Sequence, residues 1–130
     1  MILLDTHVVL WLTSDPAKLS RTARETIEKA RRDANALAIS GITLLELTTL
    51  ASKGRIDLDI SLESFLGELE TRFAVLPITS RACARIMGLP ATYPKDPADR
   101  IIAATALVEG LPLITADREI RRSKTVQTIW

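Results

Sequence analysis

Four acidic residues sit inside or at the ends of apolar runs, where a chain has no ordinary use for charge. Asp5 closes Ile2-Leu3-Leu4, Glu46 lies within Ile42-Thr43-Leu44-Leu45-Glu46-Leu47, Asp99 follows Asp96-Pro97-Ala98, and Asp117 closes Leu113-Ile114-Thr115-Ala116. Ionised carboxylates are costly to desolvate unless they are paired, hydrogen-bonded or bound to a metal, so acids aimed inward carry more information than acids on a wet face. On a helix opened by Asp96-Pro97, residues Asp99, Ile102, Ala103 and Ala106 fall at i, i+3, i+4 and i+7, which puts Asp99 on the core-facing edge. Ile42 and Leu50 stand one helical turn either side of Glu46, which gives that acid the same placement.

If these acids converge, their chemistry is constrained. Carboxylates about 5 Å apart repel by roughly 3 kcal/mol per pair at an effective dielectric near 20, so such a cluster protonates or takes up a cation. Oxygen donors with one His and no pair of Cys suit Mg²⁺ or Mn²⁺ better than Zn²⁺. A hard cation held by acids implies work on phosphate, and hydrolysis of a phosphodiester is the reaction such ions serve. Thr115, Ser40 and Thr43 lie near the acids in sequence and could hold a water or a phosphate there. Asp96, with Pro97 after it, reads first as a helix N-cap and only second as a fifth ligand. His7 at a helix start reads as structural, Trp11 and Trp130 as packing or interface residues, and Cys83 as a small core residue. Arg100 and Arg118, with Lys95, Arg121, Arg122 and Lys124, flank the acidic motifs and are the candidate phosphate contacts.

The elements that must position these residues follow from apolar patterning. Ile2-Leu3-Leu4, Ala36-Leu37-Ala38-Ile39, Ala74-Val75-Leu76-Pro77-Ile78 and Leu113-Ile114 read as short strands buried on both faces, with Val126-Gln127-Thr128-Ile129 as a final short strand. Helices are expected over Thr6-to-Leu12, after Ser20, through Glu46 to Lys53-Gly54, after Ser61, from Thr79 to Met87, and from Asp96 to Gly110. After Ser20, Ala23, Ile27 and Ala30 form the apolar stripe, with Arg24–Glu28 and Glu28–Arg32 as expected ion pairs. The lesser alternative for Asp117-Arg118 is a surface turn. Helices alternating with such strands predict an α/β sandwich around a mainly parallel sheet of four to five short strands. Ligands in such sheets bind beyond the carboxyl ends of the strands, where Asp5 and Asp117 would lie.

The chain's 130 residues, 47% of them hydrophobic, suit one domain over residues 1–130. Its 17 Lys and Arg against 16 Asp and Glu give a net charge of +1, which excludes a protein held to nucleic acid by bulk charge. Any such site must be local. A single Cys excludes an internal disulfide and fits a reducing cytosol, and neither a signal peptide nor a membrane span is evident, so a cytoplasmic protein is expected.

The ordered motifs Leu4-Asp5-Thr6-His7 with Trp11, Ser40-x-x-Thr43-x-x-Glu46-Leu47, Asp96-Pro97-x-Asp99-Arg100-Ile101-Ile102-Ala103-Ala104, Thr115-Ala116-Asp117 and Thr128-Ile129-Trp130 resemble those of PIN-domain nucleases. The likeness is nearest to the VapC-type ribonuclease toxins of toxin–antitoxin pairs and covers nearly the whole length. It implies a PIN-like fold, metal-binding acids at Asp5, Glu46, Asp99 and Asp117, Mg²⁺-dependent cleavage of RNA, a homodimer, and neutralisation by a small antitoxin. Two other readings compete. A phospho-acceptor receiver domain also gathers acids around Mg²⁺, but by resemblance wants adjacent acids after the first strand and a late lysine, whereas Asp5 is followed by Thr6-His7 and the late position holds Asp117. A catalytically inactive PIN-like module that binds RNA or protein is the other, and retention of all four acids speaks against it.

Overall fold

The computed structural model describes residues 1–130 throughout. Five strands, β1 (Ile2–Leu4), β2 (Leu37–Ser40), β3 (Ala74–Leu76), β4 (Leu113–Ile114) and β5 (Thr128–Ile129), form one sheet in the order β3-β2-β1-β4-β5. Every neighbouring pair is parallel, with Ile2 opposite Leu37 and Leu4 opposite Ile114. The expected mainly parallel sheet is therefore parallel throughout. Strand β1 lies at the centre, and the chain builds outward from it first to one side and then to the other. A parallel sheet opens a crevice at such a reversal, beyond the carboxyl ends of its strands.

Seven α-helices cover the two faces: α1 (Thr6–Ser14), α2 (Arg21–Arg32), α3 (Gly41–Ser52), α4 (Leu62–Arg72), α5 (Ser80–Ile86), α6 (Pro97–Glu109) and α7 (Arg118–Ser123). Successive side chains of a strand point to opposite faces, and the core divides accordingly. Ile2 and Leu4 of β1 pack with Val8, Ile27, Phe65 and Leu69, whereas Leu3 packs with Ala38, Leu113, Ile102, Ala103 and Ala106. Burial on both faces explains why these strands read as unbroken apolar runs.

Helix ends follow the expected chemistry. Ser20 accepts from the Ala23 amide, Ser61 from that of Ser64 and Thr79 from that of Ala82. Gly110 ends α6 in the left-handed region at φ 65°, and Gly54 follows α3 at φ 68°. Four local expectations are corrected. Cys83 is exposed, because the seven-residue α5 buries only Ala82 of its own length. The ion pairs of α2 are Arg21–Glu25 and Lys29–Asp33, which satisfy the same spacing as the expected pairs. Strand β3 stops before Pro77, and Asp117-Arg118 opens helix α7, against the lesser alternative of a surface turn.

Gly110 sets where α6, the helix bearing Asp99, comes to an end. A methyl group there would meet nothing within 4 Å, so the cost of Gly110→Ala is conformational only. We expect a loss of about 1 kcal/mol, read as a lower urea midpoint at unchanged m-value.

Candidate active site

Five acids from four parts of the chain line one cavity of about 360 Å³ at the carboxyl edge of the sheet: Asp5, Glu46, Asp96, Asp99 and Asp117, with His7 and Trp11 at the same cavity. Asp5 is placed by β1, whose backbone continues into the sheet through the Asp5 amide, donating to the Ile114 carbonyl at 3.0 Å. Asp99 lies in the first turn of α6, Asp117 caps α7, and Glu46 is carried by α3. The buried face of α3 carries Thr43 and Leu47, so Glu46 stands on its flank, half-buried.

A buried set of hydroxyls fixes these acids. One carboxylate oxygen of Asp5 accepts from the Thr6 amide at 2.8 Å and the other from the Thr115 hydroxyl at 2.7 Å. Thr115 Oγ1 in turn accepts from the Asp117 amide at 3.1 Å, so a single fully buried threonine ties two of the acids together. On the other side the Thr6 hydroxyl donates to Glu46. A hydroxyl has one proton to give, so the 3.0 Å contact between Thr6 and Thr43 must have Thr43 donating, and the relay runs Thr43 to Thr6 to Glu46.

The electrostatics match that crowding. Burial raises the pKa of Asp5 in spite of the Thr115 and Thr6 hydrogen bonds, which act the other way. Burial also raises Glu46, opposed by the Thr6 hydroxyl and reinforced by Asp96 and Asp5. Asp99, which accepts no hydrogen bond, is pushed up to about 7 by burial first and then by Asp5, Asp96, Asp117 and Glu46. The buried Tyr93 phenol is held protonated by desolvation and by the charge of Asp99.

As arranged, no three of these side chains close on a point as ligands of one ion. A small hard cation does not require that, since Mg²⁺ keeps several waters and binds through one or two carboxylates. The donor set is all oxygen, shares one cavity, and repels itself without a counter-charge. These are the properties such an ion fits.

The expected site residues divide clearly. Asp5, Glu46, Asp99 and Asp117 are brought together. Asp96 caps α6 through Oδ1, accepting from Ala98 and Asp99 amides at 2.8 and 3.3 Å, and lines the cavity as well. Thr115 holds Asp5, while Ser40 only caps α3, accepting from the Ile42 amide at 3.2 Å. Arg100 donates to the Tyr93 carbonyl at 3.1 Å and does not line the cavity. Arg118 lies on α7 just past Asp117, in a separate depression. Sequence reasoning gave Thr6 no role of its own. Its signal was its place directly after Asp5, where a hydroxyl is carried into the same edge.

Residues 2–125 match the PIN domain, and the chain belongs to that family. Within it, the chain is 39% identical over 131 residues to ribonuclease VapC22 of Mycobacterium tuberculosis, covering 99% of this chain and 98% of that protein. Among solved structures it is similar to VapBC2 from Rickettsia felis bound to a promoter DNA fragment, with TM-score 0.75 at 20% identity over 98% of this chain and 97% of that one, a likeness of fold. A toxin–antitoxin complex from Klebsiella pneumoniae matches with TM-score 0.64 and 27% identity over 90% and 87% of the two chains.

The raised pKa of Asp99 makes metal-free stability depend on pH. Between its ordinary value of 3.8 and about 7 the folded protein binds more protons here than the unfolded chain, so stability falls as pH rises across that window. Asp99→Asn fixes the neutral form. Its melting temperature in a chelator is expected to exceed that of the parent at pH 7 and to converge with it near pH 4; parallel profiles would contradict the assignment.

Proposed function

We propose that this protein is a divalent-metal-dependent endoribonuclease that acts as the toxin of a toxin–antitoxin pair. The convergence of Asp5, Glu46, Asp99 and Asp117, from remote parts of the sequence, on one cavity is the observation that carries this reading. Full-length similarity to a ribonuclease supports RNA as the substrate, and similarity to a toxin–antitoxin complex supports a small antitoxin as partner.

In this reading Asp5, Glu46, Asp99 and Asp117 would hold Mg²⁺ or Mn²⁺, with Asp96 at the margin. Such an ion, when bound, would supply a counter-charge to the phosphodiester and acidity to a bound water. The protein's own part is to keep the acids placed. Thr115 fixes Asp5 by its hydroxyl and Asp117 through its backbone, and the Thr43–Thr6 relay fixes Glu46, so the oxygens are oriented before substrate arrives. Asp99, lacking such a donor, is the acid whose ionisation depends most on the cation. His7 is exposed at the rim and is left out of the catalytic set.

A groove of about 610 Å³ between α1, the 55–60 loop and α4, lined by Leu10, Ile56, Leu58 and Phe65 among polar residues, shares Trp11 with the acidic cavity. That shared wall supports an antitoxin segment that seats in the groove and reaches the acids. Leu45 on α3 and Met87 at the end of α5 are 60% and 89% exposed, and both helices pack on α6. They support a homodimer, expected to show twice the chain mass of 14.3 kDa by light scattering; a monomer at micromolar concentration would remove that part of the reading.

Asp5→Asn and Asp99→Asn are expected to lower RNA cleavage by at least 100-fold while the circular dichroism spectrum is kept, a loss of about 3 kcal/mol in transition-state stabilisation. Millimolar Mn²⁺ should raise the melting temperature of the parent and not of the variants. Cleavage at the parental rate by either variant overturns the proposal.

A further inference from the structure

Beside the acidic cavity lies a second depression, of about 440 Å³, whose lining is entirely basic: Arg118, Arg121, Arg122 and Lys124. We infer that this α7 surface is the binding track for the sugar–phosphate backbone of single-stranded RNA flanking the cleaved bond. The inference rests on the ribonuclease reading of the neighbouring cavity and deepens it by locating where the substrate is gripped.

The first argument is electrostatic. Five acids at the cavity repel a polyanion, so affinity for RNA has to come from elsewhere on the surface, close enough to serve the same strand. Asp117 lines the cavity and is also the N-cap of α7, its Oδ1 accepting from the Glu119 and Ile120 amides at 2.8 and 3.1 Å. The basic depression therefore begins one residue beyond a cavity acid. With a net charge of +1 for the whole chain, this concentration is a local feature and not a reflection of composition.

The second argument is that these cations are free. The ion pairs of the protein are Lys18–Asp15, Arg21–Glu25 and Lys29–Asp33, and none involves α7, although Glu119 is on the same helix. One of the four also sits where stability alone would not put it: Arg118 occupies the first position of α7, where positive charge opposes the helix dipole. Lys124 is the C-cap of the same helix, in the left-handed conformation at φ 52°, and so closes the basic run at its far end.

The third argument selects the ligand class. Protein partners are bound through a buried apolar or aromatic centre. This depression has no apolar lining residue, whereas a polyanion asks only for cations spaced along a path.

The test compares two triple variants that remove equal charge. One is Arg121→Gln/Arg122→Gln/Lys124→Gly, in which glycine suits the left-handed position; the other is Arg24→Gln/Arg31→Gln/Arg32→Gln on the exposed face of α2. In an Asp99→Asn background, which preserves the substrate, binding of a 20-nucleotide single-stranded RNA of mixed sequence is followed by fluorescence anisotropy across a salt series. The α7 triple should bind at least ten-fold more weakly, with the slope of log affinity against log salt lowered by about 2, from ~0.7 per lost phosphate contact on a single strand. The α2 triple should match its parent. With Asp99 restored, cleavage of the same RNA should show the loss in KM and not in kcat. Equal losses in both triples, no loss in the α7 triple, or weaker binding by the α7 triple to a poly-glutamate peptide with unchanged RNA affinity would each overturn the inference. If the protein with Asp99 restored and all surface charges intact fails to cleave RNA in Mg²⁺, the ribonuclease reading falls; if it cleaves and the α7 triple matches it, only the track falls. A melting temperature measured on each triple shows that it is folded.

Discussion

A carboxylate at the end of the central strand is the constraint on which this structure turns. Asp5 is only 6% exposed, and two hydrogen bonds do not offset its desolvation, so its pKa stays raised. The surroundings are arranged accordingly. Six polar residues of the protein are buried, and four of them, Asp5, Thr6, Thr43 and Thr115, belong to the network around the cavity. The other two serve the backbone: Ser40 caps α3, and Thr105 donates to the Ile101 carbonyl. Buried polarity in an otherwise aliphatic interior has thus been concentrated at one edge of the sheet, where a partly satisfied network is costly unless a further charge completes it.

Charge is sorted on the surface as strictly as polarity is in the core. Near-neutral composition conceals a negative cavity and a positive helix that meet at Asp117. This residue belongs to both, because its carboxylate caps α7 while its backbone amide is tied to Thr115. Small parallel-sheet domains are well suited to such placement. The carboxyl ends of the strands and the first turns of the helices that follow them share one edge, so five acids can be neighbours without any unusual turn.

Much of this was legible in the amino acids. Buried strands announce themselves when both faces are covered, as in Ile2-Leu3-Leu4, and end signals such as Ser20, Ser61, Asp96 and Gly110 act through local hydrogen bonds and backbone preference that need no tertiary context. The PIN-domain likeness read from short motifs was met by a match over residues 2–125. What failed to show was settled by contacts between elements. Helix α7 has six residues and one apolar side chain, Ile120, so it has no period to detect; it forms because Asp117 caps it and Ile120 is buried. Cys83 was misplaced because a seven-residue helix has too few buried positions to fix which face is inner. The ion pairs of α2 were misassigned because several i, i+4 partners satisfy the spacing equally. Thr6 depends on a partner forty residues away.

The sheet order has a consequence for how the protein comes into being. Strand β1 is made first, yet it reaches its central position only when β4 arrives to pair with it, and the Thr115 hydroxyl that steadies Asp5 lies 110 residues further on. A ribosome that has released the first hundred residues has delivered Asp5, Glu46 and Asp99 but neither the strand nor the threonine that assembles them. The arrangement around Asp5 is therefore completed only by the last part of the chain, because its neighbouring strand, its hydroxyl donor and the fourth acid, Asp117, all lie beyond residue 112.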